Sequence, residues 1–248
     1  MKYTDLIFDL YGTLVDIHTE VNDLVWEKTA LYFGFHGAHY TSSELKRAFQ
    51  TAMSAREAAE GQTYECFPDI PYEQVMAELF RAKGIEENAE ELGFNAAQLD
   101  RICSIEYVKL YPHVLEALTE FRKQGRRLWL LSNAQRAFTA YELRLLGLDT
   151  YFDGIYISSD YRCRKPDLRF FRALIEEQKL DISKCLMIGN ARNTDIAGAQ
   201  AAGLDTLYMH TALTPGDQAE ADPAKNDGRH YEFEGDDWEA LARLIGGL

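Results

Sequence analysis

The stretch Leu6-Ile7-Phe8-Asp9-Leu10-Tyr11-Gly12-Thr13-Leu14-Val15-Asp16 decides how this chain is read. Leu6 to Phe8 form a short continuous apolar run, the signature of a strand covered on both faces, and Asp9 follows where such a strand leaves its sheet. Gly12 permits a tight turn or a close backbone approach, and Thr13 places a hydroxyl beside whatever Asp9 holds. A single carboxylate at a strand end serves equally well as a turn former or a helix cap. Its meaning depends on what the rest of the chain brings to the same edge.

From Arg126 onward strand-like and helix-like segments alternate, the pattern of a parallel sheet covered by helices. The strands expected are Leu128 to Leu131, Ile155 to Ile157, Cys185 to Ile188 and Thr206 to Met209. Helices are expected over Ala137 to Leu146, closed by Gly147, and over Leu168 to Gln178, where Phe171, Leu174 and Ile175 recur at helical spacing. With Leu6 to Phe8 these make a doubly wound, Rossmann-like α/β sheet, whose ligands sit beyond the carboxyl ends of the strands where the strand order reverses.

The interval from His18 to Leu110 reads as helical throughout. Val21, Leu24, Val25, Leu31 and Tyr32 mark one helical face, and Thr41 to Glu44 reads as a capping box. Val75, Leu79 and Phe80 line a third helix ending at Gly84, and Asn95 caps a fourth running to Leu110 before Pro112. The expected organisation is therefore a core domain of residues 1–16 and 111–248, interrupted by a helical cap domain of residues 17–110 lying over its catalytic edge. Thr211 to Gly235, rich in Asp, Glu, Pro and Gly, reads as a long surface loop, and Trp238 to Ile245 as a short closing helix packed on the sheet.

At 248 residues, with 46% hydrophobic and 27% charged, the chain has the balance of an ordinary globular protein. A formal net charge of -14 argues against nucleic acid and anionic membranes as partners, since both reward basic surfaces. The apolar run after Met1 meets Asp9 too soon for a signal peptide or a membrane span, so a cytoplasmic protein is expected. Cys66, Cys103, Cys163 and Cys185 form no Cys-x-x-Cys pair and read as reduced thiols, with Cys103 and Cys185 in the core. The histidines are scattered and give no zinc spacing. Nothing in the sequence sets an oligomeric state.

Three more strand ends carry polar groups. Ser132 and Asn133 follow Leu130-Leu131, and their hydroxyl and amide suit an anionic oxygen. Lys165, in Arg162-Cys163-Arg164-Lys165-Pro166-Asp167, offers an ammonium that restrains a nucleophilic carboxylate and neutralises an anionic substrate. Met187-Ile188-Gly189-Asn190 leads through Arg192 to Asp195 and a small-residue helix. Arg162, Arg164 and Arg192 either make the crevice locally positive or are ordinary surface charge. Taken singly, each polar residue is a cap, a solvated charge or a loop former. Together, in this order and each after its own strand, they resemble the motifs of the haloacid dehalogenase superfamily over essentially the whole chain.

That resemblance implies Asp9 as a nucleophile forming a covalent ester, Thr13, Ser132 and Asn133 binding charged oxygens, Lys165 holding the nucleophile and the substrate charge, and Asp195 orienting Lys165 or water. It also implies a helical cap after the first motif, and a metal position formed by Asp9, the Tyr11 backbone carbonyl and the fourth motif, here Asn190. Two departures matter. Tyr11 replaces the acid that protonates an alkoxide leaving group, and Asn190 replaces an acid that binds Mg²⁺. The dehalogenase branch is similar in having Tyr at the first of these positions, a Leu-Ser-Asn second motif and no first acid in the fourth. Halide needs neither a general acid nor a metal. This chain departs from that branch with Asn190-Ala191-Arg192-Asn193-Thr194-Asp195 in the fourth motif, with Phe171 where the branch has Tyr, and with only Arg47 and Arg56 available for its cap arginine. The expected function is a hydrolase acting on a small anionic substrate, leaning to dehalogenation with no cofactor required. The alternatives are a Mg²⁺-dependent phosphatase or phosphoanhydride hydrolase, and a non-catalytic binding protein of the same fold.

Overall fold

Successive side chains of a strand alternate between faces, and Leu6, Ile7 and Phe8 are all fully buried, so β1 (Asp5–Phe8) must lie between two apolar layers. Leu6 and Phe8 pack with Leu128, Leu130, Leu186, Ile188 and Trp238. Ile7 joins Trp129, Leu131, Met187, Phe170 and Phe171 on the other side. The computed structural model describes residues 1–60, 67–215 and 226–248.

After β1 come β2 (Val15–Thr19), four helices α1 (Asp23–Phe35), α2 (Ser42–Glu60), α3 (Tyr72–Arg81) and α4 (Ala89–Ser104), and then β3 (Ile105–Leu110). The chain continues through α5 (Val114–Lys123), β4 (Arg127–Ser132), α6 (Arg136–Leu145), β5 (Gly154–Ile157) and α7 (Ser158–Tyr161). It closes with α8 (Leu168–Glu177), β6 (Cys185–Gly189), α9 (Ala197–Ala201), β7 (Asp205–His210), β8 (His230–Glu234) and α10 (Trp238–Gly247). The six-stranded sheet has the order β5-β4-β1-β6-β7-β8 and every pair in it is parallel. The chain moves outward from β1 to β4 and β5, then returns to the far side of β1. This is a doubly wound sheet, and its strand order reverses at β1 and β6.

The interval expected to be wholly helical contains a strand. α4 stops at Ser104, and Ile105-Glu106-Tyr107-Val108-Lys109-Leu110 pairs antiparallel with β2. Branched and aromatic residues there favour a pleated surface, but only the distant partner β2 makes the strand. This ribbon, which holds residues 15–19 and 105–110, carries both connections between the sheet and α1 to α4. The α1 face also differs from expectation. Val25, Trp26, Thr29, Ala30 and Phe33 turn inward, whereas Val21, Leu24 and Leu31 are exposed. A stripe containing Thr and Ala is less apolar by composition, yet it allows closer packing.

The capping box forms as expected: Thr41 N donates to Glu44 Oε2 at 2.8 Å and Glu44 N to Thr41 Oγ1 at 3.2 Å. Val75, Leu79 and Phe80 are buried on α3, and the Phe80 ring stacks on Phe33 at 3.9 Å. Gly93 lets α4 press against α3, since a Cβ there would lie 2.4 Å from the Glu73 carbonyl oxygen. The expected surface loop between Thr211 and Gly235 instead contributes β8 at the sheet edge, with residues 216–225 outside the described set. Cys185 is buried, Cys103 only half-buried, and Cys66 lies outside the described residues. Among the described residues no helix is long and apolar enough to cross a membrane.

Candidate active site

β1 ends where Phe8 gives way to Asp9, and Asp9 N donates to the Ile188 carbonyl of β6 at 3.0 Å, which fixes the carboxylate at the point where the strand order reverses. Lys165 arrives from beyond β5 and α7, reaching back across β4. Its Nζ donates to Asp9 Oδ1 and to the Leu131 carbonyl, each at 2.7 Å, and lies 2.7 Å from Asp195 Oδ1. Lys165 is 1% exposed, and a buried ammonium is tolerable only with such partners. Burial works against its charge, but the Asp195 and Asp9 carboxylates hold it above the ordinary lysine range. Burial pushes the Asp9 carboxyl up to about 6, a rise that Lys165 opposes and Asp195 supports.

Backbone geometry sets these approaches. Gly12 has φ +82°, and a Cβ on it would sit 2.1 Å from Asn190 Nδ2. At Gly189 a Cβ would meet Asp195 Oδ2 at 2.4 Å. Ala191 N donates to that same Oδ2 at 2.9 Å, so both Asp195 oxygens are engaged. Thr13 Oγ1 lies 3.3 Å from Asp9 Oδ2 and 3.4 Å from Asn190 Oδ1. Asn133 is tied to the Lys165 backbone in both directions, donating from Nδ2 to its carbonyl at 3.0 Å and accepting its N–H on Oδ1 at 2.8 Å. One amide hydrogen of Asn133 is left for a ligand. Ser132 Oγ is buried and has no hydrogen-bond partner among the described residues. Asp9, Thr13, Ser132, Asn133, Lys165, Asn190 and Asp195 thus all stand at the carboxyl ends of β1, β4 and β6 or on the segment beyond β5.

Asn190 Nδ2 donates to the Leu213 carbonyl at 3.1 Å, which turns its amide oxygen towards Thr13 and the Asp9 side. A divalent cation would find there one carboxylate already ion-paired to Lys165, the neutral Asn190 amide and the neutral Tyr11 carbonyl. Among the described residues no group of three or more His, Cys, Asp or Glu side chains converges on one point. This donor set does not fit a tight Mg²⁺ site, which depends on carboxylate charge.

The Tyr11 side chain is engaged by α6. Its hydroxyl donates to Glu142 Oε2 and meets Thr139 Oγ1 at 3.0 Å, both on α6. Burial and the Glu142 charge push its ionisation far above the ordinary tyrosine value. Arg101 of α4 closes over the same spot, donating from Nε to Glu142 Oε1 at 2.7 Å, with its guanidinium 5.4 Å from the Tyr11 ring centre and 4.7 Å from that of Phe138. Neither Arg47 nor Arg56, the arginines expected for the cap position, lines this spot. Arg47 is exposed, and Arg56 is paired with Glu78 on α3. Arg162 pairs with Glu60 and Arg192 with Glu232, so of the three arginines considered for the crevice only Arg164 faces the space beneath α4. That space is a cavity of about 570 Å³ whose lining includes Tyr11, Asn133, Asp69, Tyr72, Asp100 and Arg101. Sequence reasoning missed Asp69, Asp100, Arg101 and Glu142. The only signal was a polar pair, Asp100-Arg101, within a helix whose partner elements were unknown.

The doubly wound parallel sheet, with a carboxylate and a lysine meeting at its switch point, defines a Rossmann-like α/β protein with a polar cluster at its strand ends. The family model for haloacid dehalogenase-like hydrolase matches residues 6–203, and the chain belongs to that family. It is 27% identical over 202 residues to the pyrophosphatase PpaX of Bacillus velezensis, covering 81% of this chain and 80% of that one. It is 28% identical over 118 residues to the glyceraldehyde 3-phosphate phosphatase of Methanothermobacter thermautotrophicus, a match covering 48% of this chain and spanning only about half, 51%, of that relative's length. In fold it is similar to the 2-haloacid dehalogenase of Pseudomonas syringae pv. tomato, with a TM-score of 0.66 at 20% identity over 99% of both chains.

Proposed function

We propose that this hydrolase displaces a leaving group from a small anionic substrate by attack of Asp9, and that its preferred reaction is dehalogenation of a short 2-haloacid without a metal. Asp9 attacks the carbon bearing the halogen, the carbon–halogen bond breaks, and halide departs with its electron pair. Water then attacks the carboxyl carbon of the Asp9 ester, releasing a 2-hydroxy acid and one proton and restoring Asp9. Lys165 orients Asp9 and offsets charge, Asp195 holds Lys165, and Ser132, Thr13 and the remaining Asn133 hydrogen receive the substrate's carboxylate oxygens. Residues 17–110 act as the cap.

The observation that carries this reading is the engagement of Tyr11 with Glu142 and Thr139. A phenol so held, with its ionisation raised, supplies no proton to an alkoxide, so the chemistry suits a leaving group stable as an anion. A second reading, hydrolysis of an activated phosphate, is favoured by the names of the relatives and by the Asn190 oxygen turned towards Asp9.

The test is a panel of short 2-haloacids, 4-nitrophenyl phosphate and sugar monophosphates, each with and without chelator. Haloacid turnover that ignores chelator and requires Asp9 is expected, and single turnover in labelled water places the label first in the Asp9 carboxylate. Strong Mg²⁺-dependent turnover of sugar phosphates with none on haloacids overturns the dehalogenase reading. No Asp9-dependent activity on any substrate leaves the non-catalytic alternative. Tyr11→Asp with Asn190→Asp is expected to raise alkyl phosphate hydrolysis in the presence of Mg²⁺.

A further inference from the structure

We propose that the cavity beneath α4 binds an ammonium group at the end of the substrate remote from the reacting carbon, with Asp100 as its anchor. The inference rests on the proposed attack from Asp9, since it treats this cavity as the continuation of that site past Tyr11 and Asn133.

Carboxylates outnumber free cations here. Glu57, Asp69 and Asp100 face the cavity together with Arg101 and Arg164. Arg101 is committed to Glu142, with which it makes contacts of 2.7 and 3.1 Å, and Arg164 stands 3.7 Å from Glu57. Asp69 is buried but satisfied, accepting from the Ser158 hydroxyl and, at 2.8 Å, from Gln135 Nε2. Asp100 is different. It is only 8% exposed, its Oδ1 has no partner among the described residues, and the Thr29 hydroxyl of α1 donates to the Val25 carbonyl at 2.9 Å.

A carboxylate buried with one oxygen unpartnered is costly, and burial pushes Asp100 up to about 6, a rise that the Arg101 charge opposes without cancelling. An ammonium entering the cavity would remove that cost by supplying both charge and hydrogen-bond donors. The aromatic wall agrees with this. Arg101 covers the Tyr11 and Phe138 rings, and Tyr72, which also lines the cavity, is the ring left for an entering cation. The substrate class that meets both ends is a zwitterion. Its carboxylate sits at Ser132 and its amino group lies across Asn133 under α4.

The experiment measures binding to the intact protein at pH 7.5 by calorimetry and thermal shift, using 3-aminopropanoate, 4-aminobutanoate and 5-aminopentanoate. The matched probes, with methyl in place of ammonium, are butanoate, pentanoate and hexanoate. At least one amino acid of the series is expected to bind about tenfold more tightly than its methyl counterpart, a preference that Asp100→Asn removes. The wild-type comparison stands even if that variant fails to fold. Equal binding of the two series, binding of neither, or a preference that survives Asp100→Asn overturns the inference. Because the readout is binding, it separates from the function test: haloacid turnover without amine preference removes only this inference, and amine preference without Asp9-dependent turnover removes only the proposed reaction.

Discussion

Around Asp9 every charge has a partner. The Lys165 ammonium bridges Asp9 and Asp195 at 2.7 Å, and the second oxygen of each carboxylate has a contact of its own, Thr13 for Asp9 and Ala191 N for Asp195. On the other side of Asn133, under α4, Asp100 Oδ1 is buried with no partner among the described residues, and the nearby Arg101 makes two hydrogen bonds to Glu142. The charges of the first cluster are matched within the protein, whereas the second keeps one carboxylate oxygen unmatched. A site that performs the same step on every substrate gains from rigid, fully paired groups, whereas a site that selects a substrate gains from groups that only the right molecule satisfies.

The difference is tested most severely by removing the proposed nucleophile. Asp9→Asn is expected to lower kcat by at least about 10⁴-fold while the fold persists, because the displaced bond has no other acceptor. Retained turnover with an unchanged melting curve would end the covalent mechanism. Lys165→Met, which leaves Asp9 and Asp195 buried and facing one another, is expected to abolish activity and to lower unfolding free energy by about 3–5 kcal/mol in denaturant titration. A loss below about 1 kcal/mol would mean that Lys165 and the two carboxylates are not a mutually dependent buried unit.

Acidity sharpens the same comparison. Asp9 must be ionised to attack, and its folded value is raised from 3.8 to about 6, so kcat/KM should fall about tenfold per pH unit below pH 6 and level off above it. The stability contribution has the opposite sign: protonated Asp9 favours the folded state, an advantage present below pH 3.8 and lost as pH rises through about 6. A flat rate profile between pH 4.5 and pH 7 would contradict attack by a buried Asp9. Arg101→Gln touches the other region, leaving Glu142 without its cation. It is expected to cost about 1–3 kcal/mol of stability and to raise KM more than it lowers kcat, since Arg101 closes the cavity and does not touch Asp9. The smallest effect belongs to Thr41→Ala, which removes the α2 capping box far from both clusters. A loss of about 1 kcal/mol with kcat unchanged is expected.

The reaction end of the site was legible in the chain itself. Asp9, Ser132 and Asn190 each stand directly after a run of buried apolar residues, and such a run determines both that a strand forms and where it leaves the sheet. β3 was missed because Ile105 to Leu110 is a strand only by virtue of β2, some ninety residues earlier in the chain, and no local period announces that partner. The α1 face was misread because Thr29 and Ala30 are inward for their size, a property of packing and not of hydropathy.

The sequence by itself determined the parallel sheet, the inserted helices and the polar residues at the strand ends, because those follow from short-range periodicity and from the order of elements along the chain. Only the tertiary structure decided that Tyr11 is bound by Glu142 from 131 positions away, that Arg101 of α4 and not Arg47 or Arg56 closes over it, and that Asp100 is left unmatched. Charge pairing and desolvation depend on distances between elements, and those distances exist only once the helices of the insertion have settled against the core.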